Sequence, residues 1–141
     1  MTSVQELISE TENYLIINKP AGITVIPARN EPPEECLLKK LEAICNQRLW
    51  ILHRLDRDTS GVLLFAKNEN AHRLLSIDFE HRKIQKHYLA FVKGEPPATE
   101  GIIDIPLHKA RKGKMRQAKP HEKNSLSSST YYHLEKTWKT S

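Results

Sequence analysis

The stretch "HRLDRDTSGVLLFAK", His53 to Lys67, decides how the chain is read. Its first nine residues hold two arginines, two aspartates and a histidine, and Gly61 then opens an apolar run. A run apolar on both faces predicts a central strand. The densest charge cluster of the chain therefore stands at the mouth of its most buried strand. Two readings of that cluster stay open on the residues alone. Asp58, ahead of Thr59 and Ser60, suits a carboxylate that caps a turn by accepting backbone N–H bonds. Asp56 lies between Arg54 and Arg57, with Leu55 facing away as an anchor. Arginine beside a carboxylate keeps it ionised and oriented, as a nucleophile or base requires. The competing reading is a solvated cluster of surface ion pairs.

Outward from this stretch, "YLIINK" (14–19) predicts a strand ending in the "KPAG" turn, and "ITVIP" (23–27) a second short strand. "ARNEPPEE" reads as a loop whose last acidic residues suit a helix start. Apolar residues at 37, 38, 41, 44 and 45 give the helical period between Glu35 and Gln47. "NENAHRLLSIDFEHRKI" returns to helix, with Ala71, Leu74, Leu75, Asp78 and Phe79 on one stripe. "KHYLAFVKG" (86–94) alternates as a strand does. "GIIDIPL" predicts a strand stopped by Pro106, "KGKMRQA" one arm of a hairpin, and "TYYHLEK" a last strand. "PHEKNSLSSS" is a polar loop without periodicity. The fold class expected is α+β, a mixed and mainly antiparallel sheet flanked by helices, in one domain over 1–141.

Composition narrows the function classes. The chain has 141 residues and 22 Lys+Arg against 17 Asp+Glu, a net charge of +5. The pI near 9.2 favours a polyanionic partner such as RNA or DNA. No apolar run approaches the roughly 20 residues of a membrane span, and the first residues resemble neither a secretory nor a transit signal. Cys36 and Cys45, nine apart on one predicted helix, are too distant along its axis to bridge and read as reduced thiols of a cytoplasmic protein. The seven histidines show no metal-ligand spacing. "DTSG" has no second copy to supply the paired carboxylate of an aspartic protease, and Ser60 lacks the hydrolase elbow. No phosphate-cradling glycine pattern is present. No metal site and no cofactor are expected.

"HRLDRDTSGVLLFAK" resembles the His-Arg-Leu-Asp-x-x-Thr-Ser-Gly signature of the RluA-type RNA pseudouridine synthases. "ENYLIINKPAGITVIP", "KIQKHYLAFVKG" and "IIDIPLHKARKGKMRQA…TYYHLEK" are similar to further segments of that family, in the same order. The resemblance covers nearly the whole chain. It implies isomerisation of uridine to pseudouridine in ribosomal or transfer RNA, without cofactor or metal; a stem-loop target, a cytoplasmic location and a monomer are expected beside it. Asp56 takes the position of the family's essential aspartate, and Tyr88 that of its active-site tyrosine. Arg54 matches the signature arginine, which contacts RNA around the extruded nucleotide. Arg57, Lys67, Lys86, Arg111 and Lys114 are candidate phosphate contacts, with Lys109, Lys112 and Arg116 beside them. His53 is expected to brace the loop, and Thr59, Ser60 and Gly61 to shape its turn.

Two departures stand out. Ile26-Pro27 replaces the His-Pro of many relatives. No counterpart is found of the Arg-x-His-Gln-Ile-Arg segment whose arginine pairs with the catalytic aspartate, nor of the S4-type RNA-binding domain of some relatives. The expectation is a fragment of a longer enzyme, with an open edge on its last strand. The alternative is an inactive or fragmentary homologue acting only as an RNA-binding module.

Overall fold

Alternation along the second strand sets the architecture of the first half of the chain. Leu15, Ile17 and Lys19 are buried and the residues between them are not, so one face of that strand is committed to the interior. The computed structural model describes residues 7–29, 31–110 and 114–138. Its elements are β1 (Leu7–Glu10), β2 (Tyr14–Lys19), a single 3₁₀ turn (Pro33–Glu35), α1 (Leu37–Cys45), β3 (Trp50–Ile51), β4 (Gly61–Ala66), α2 (Glu69–Glu80), β5 (Glu100–Asp104), β6 (Leu107–Lys109), β7 (Met115–Gln117) and β8 (Ser129–His133). Within the single domain expected, the backbone divides into two compact units, one up to His87 and one from Tyr88 onward.

In the first unit the sheet order is β1-β2-β4-β3, antiparallel throughout. The apolar run after Gly61 is an interior strand as expected. It pairs along its whole length with β2, from Tyr14 opposite Ala66 to Lys19 opposite Gly61. The core joins Leu15 and Ile17 of β2, Leu63 and Phe65 of β4, and Leu37 and Leu41 of α1, with Val25 and Leu49 from loops. Helix α1 has the period the sequence predicted and stops at Asn46, which takes the left-handed conformation typical of a helix end. Helix α2 starts at Asn68, whose side chain accepts the Ala71 N–H at 2.8 Å. Its predicted stripe is only partly used: Ala71 is buried, Leu74 is exposed, and Phe79 stacks on His53.

Three strand expectations change. Leu7–Glu10 forms β1, which the sequence reading left unassigned, and extends the sheet beside β2. Residues 23–27 form no strand. The carbonyls of Thr24 and Val25 instead accept the N–H groups of Leu37 and Leu38, the first residues of α1. Cys36 offers that helix no side-chain cap, so its orphan donors take the backbone that a ladder would have used. Residues 86–94 alternate in sequence yet are irregular, with Leu89 and Phe91 about nine-tenths exposed. Alternation predicts a strand only where a neighbour can accept its hydrogen bonds, and none of the described residues does so.

The second unit holds two antiparallel pairs, β5 with β8 and β6 with β7, so the hairpin arm expected at "KGKMRQA" is present. Across β5–β8, Gly101 faces Tyr132, and a Cβ at position 101 would sit 3.0 Å from the tyrosine ring. A side chain there would require the tyrosine ring to give way by a few tenths of an ångström. The hairpin is braced by Glu122. Both its carboxylate oxygens take bonds from Arg116, at 2.6 and 2.8 Å, and one also takes the Lys119 N–H. The arginine and that N–H hold its pKa down at about 2.

Two outcomes follow. Leu63→Ala should destabilise the first unit by about 2–5 kcal/mol in urea unfolding, because Leu63 is fully buried at the centre of the core. Glu122 has a folded pKa below its ordinary value of 4.5, so its support is present above that pH and fades as pH falls toward 2. Glu122→Gln should weaken the cross-strand NMR contacts of β6–β7 at neutral pH and abolish their change across that acid window.

Candidate active site

The connection from β3 to β4 is the charge cluster, and its geometry follows from what anchors each residue. His53 is half-buried. Its ring lies on Phe79 at 5.0 Å, and Nε2 accepts the Leu64 N–H at 3.3 Å. Accepting at Nε2 puts the ring proton of the neutral form on Nδ1. Burial, with the Lys86 cation adding to it, pushes the His53 pKa below the usual histidine value, so that neutral form is favoured. His53 thus braces the loop, as expected. Leu55 packs against the core and fixes the next turn of chain. Between these anchors Arg54, Asp56, Arg57 and Asp58 are all exposed.

Asp56 heads a tight turn in which its carbonyl accepts the Thr59 N–H at 3.2 Å. Gly61 ends the turn with φ at 129°, a conformation L side chains rarely adopt. The Asp56 carboxylate makes no hydrogen bond or ion pair among the described residues, with Arg54 and Arg57 included. The flanking arginines therefore do not orient it. The loop is positioned from below by a residue that the sequence analysis places at the end of the 14–19 strand without a functional role.

That residue is Lys19. Its side chain is fully buried, and Nζ donates to the carbonyls of Pro20 (2.9 Å), Arg57 (3.0 Å) and Thr59 (2.7 Å). An ammonium has three donors and no acceptor, and here each donor has one carbonyl. Burial lowers the Lys19 pKa, while the carboxylates of Asp58 and Asp56 act through space to raise it. The signal was present in the sequence. Positions 15, 17 and 19 share a face, so a strand that points leucine and isoleucine inward must point Lys19 inward too.

Arg57 is tied sideways. Nε donates to the Gly22 carbonyl at 3.1 Å, the Gly22 N–H returns a bond to the Arg57 carbonyl at 2.8 Å, and a terminal nitrogen meets Glu31 at 2.5 Å. A shallow cavity of about 330 Å³ lies beside this link, lined by Thr24, Glu35 and Lys40 among others. Asp56 is not part of its lining.

The remaining expected residues belong to other segments, in both units. Lys67 directly follows β4, six residues and so about 20 Å along the chain from Gly61; it is largely buried and paired with Glu10 at 2.5 Å. Lys86 is exposed and close enough to His53 to influence its titration. Tyr88 opens the second unit, 60% exposed and outside any strand. Lys114 is exposed just before β7, and Arg111 lies outside the described residues. Arg116 is committed to Glu122. Among the described residues no group of three or more His, Cys, Asp or Glu could hold a metal, and no helix is long and apolar enough to cross a membrane.

A family model described as RNA pseudouridylate synthase matches residues 13–141. The chain belongs to that family. An uncharacterised RNA pseudouridine synthase of Zymomonas mobilis is 45% identical over 98 residues, covering 67% of this chain and 44% of its own length. The tRNA pseudouridine synthase C of Haemophilus ducreyi is 42% identical over 103 residues, covering 72% and 42%. The dual-specificity RNA pseudouridine synthase RluA of Escherichia coli is 33% identical over 101 residues, covering 72% and 46%. The chain thus spans less than half the length of these relatives. The human RNA pseudouridylate synthase domain containing 1 shares the fold, with a TM-score of 0.73 at 22% identity over 93% of this chain and 53% of that one.

Lys19→Met should cost the first unit about 2–4 kcal/mol in urea unfolding, since three carbonyls lose a bond beneath the loop and only that of Arg57 keeps another, from the Gly22 N–H. Lys19→Arg should not restore it, because a planar guanidinium cannot direct three donors to the same three points.

Proposed function

We propose that this chain carries the catalytic loop of an RNA pseudouridine synthase, with Asp56 as the reacting carboxylate. The observation that carries this reading is the setting of Asp56. It is exposed at the head of a turn fastened by a buried ammonium, within a pseudouridylate synthase sequence. In the reaction the C1′–N1 bond of uridine breaks, the uracil turns, and a C1′–C5 bond forms. The proton leaves C5 and N1 gains one, so no oxidant, reductant or cofactor is needed. Asp56 acts on the ribose or the base, by attack or by promoting elimination through a glycal. A free, exposed carboxylate suits either role, provided the uridine first leaves its stack at a cost of a few kcal/mol.

The substrate proposed is structured RNA, ribosomal or transfer, in keeping with relatives named for tRNA, dual-specificity and large-subunit ribosomal modification. Arg54 is the proposed contact around the extruded nucleotide, being exposed two residues before Asp56. Lys86, Lys114 and Arg111 are proposed phosphate contacts. Arg57 and Lys67 already hold carboxylates and contribute less to RNA. Tyr88 is proposed to pack on the uracil. The free thiols of Cys36 and Cys45 support a cytoplasmic, reducing location.

A second reading, an RNA-binding module without turnover, is favoured by Tyr88 standing exposed outside any strand. One experiment separates the two. Incubated with total RNA labelled with tritium at uridine C5, the chain should release tritium, and Asp56→Asn should reduce the rate at least about 10³-fold. RNA affinity should stay within roughly twofold, because phosphate contacts are untouched. RNA binding with no release from either protein would establish the module; release undiminished in Asp56→Asn would refute the assignment.

A further inference from the structure

The residue following Asp56 is held from four directions. The Arg57 carbonyl accepts from Lys19 Nζ and from the Gly22 N–H, and the Arg57 guanidinium donates to the Gly22 carbonyl and to Glu31. The Gly22–Arg57 link is reciprocal. Gly22 has φ at 88°, a turn conformation that lets its N–H and carbonyl both face Arg57. Glu31 closes the bracket, and its own position is fixed. Its second carboxylate oxygen takes the Thr24 hydroxyl at 3.2 Å, and its N–H donates to the Ala28 carbonyl. Thr24 is in turn bonded through its carbonyl to Leu37 at the start of α1. A continuous series of bonds thus runs from α1, through Thr24 and Glu31, to the guanidinium next to Asp56.

We propose that Glu31 is a positioning residue of the Asp56 loop, holding Arg57 against the 20–31 loop so that the neighbouring carboxylate presents in one orientation. The proposal rests on the reading of Asp56 as the reacting group. An exposed ion pair adds little to global stability, so the effect of this one lies in geometry. Lys19 fixes the backbone of the turn at Arg57 and Thr59 but makes no bond to the 22–31 side. Without Glu31, the guanidinium has only the Gly22 carbonyl to define it, and the reciprocal Gly22–Arg57 link must hold the turn to the 22–31 side with no fixed carboxylate behind it.

The test compares the full chain with Glu31→Ala, Arg57→Ala and the exchanged pair Glu31→Arg/Arg57→Glu. Amide hydrogen exchange of Gly22 and Thr59 reads the bracket, with the core amides of β4 as the stability reference. Glu31→Ala should speed exchange at Gly22 and Thr59 roughly tenfold while β4 amides keep their rates. Turnover should fall by a similar factor in kcat with KM little changed, because binding is intact and orientation is not. Arg57→Ala should give the same pattern, and the exchanged pair should not recover it, because a carboxylate at position 57 cannot donate to the Gly22 carbonyl and a guanidinium at position 31 cannot accept the Thr24 hydroxyl. Unchanged exchange at Gly22 and Thr59, or a uniform rise that includes β4, would overturn the proposal, whatever the activity. If the amides respond as expected while Asp56→Asn remains active, the bracket stands and the catalytic assignment falls.

Discussion

Everything presented by the 53–61 loop depends on a lysine ammonium enclosed beneath it. Desolvating that charge is expensive, and the cost is met only because all three of its N–H bonds find carbonyls at 2.7–3.0 Å. The same demand constrains the loop. Its backbone must bring the carbonyls of Arg57 and Thr59 to a common point, which turns the peptide between them outward and leaves Asp56 on the open side. An apolar residue at position 19 would avoid the desolvation cost but would leave these carbonyls without its N–H groups and would not dictate where the turn points. Burying a cation here gives specificity of shape together with support for the turn.

How much of this was legible in the sequence differs by element. The interior strand was readable because "VLLFA" has no polar face to expose, and the two helices because their apolar residues recur with the helical period. The exposed carboxylate drew attention because its neighbours matched a long signature, and its role is the one proposed above. The expected orienting role of Arg54 and Arg57 does not hold, since proximity in sequence says nothing about which way a guanidinium reaches. Arg57 turns to Glu31, 26 positions earlier. That pairing had no local signal. Lys19, by contrast, could have been found by extending the inward alternation of β2 one step further.

The strand misjudgements share one cause. At 23–27 and at 86–94 the side-chain pattern is suitable, yet a strand is a relation between two backbones. In the first case the carbonyls are taken by the start of α1. In the second the described residues supply no partner. Conversely, "LISE" carries a weak pattern and still forms β1, because β2 leaves an edge for it to join. Periodicity thus reports which face would be buried, while pairing is decided by which backbone groups remain unclaimed.

The enclosure of Lys19 also gives the molecule an internal chemical reporter. Acylating reagents need a free, unprotonated amine with an open approach, and this nitrogen offers neither while its three carbonyls are in place. Surface lysines such as Lys86 and Lys114 are open to reagent at all times. Modification at position 19 accumulates only during excursions in which the loop lifts away, so its labelling rate measures how often the Asp56 turn comes apart.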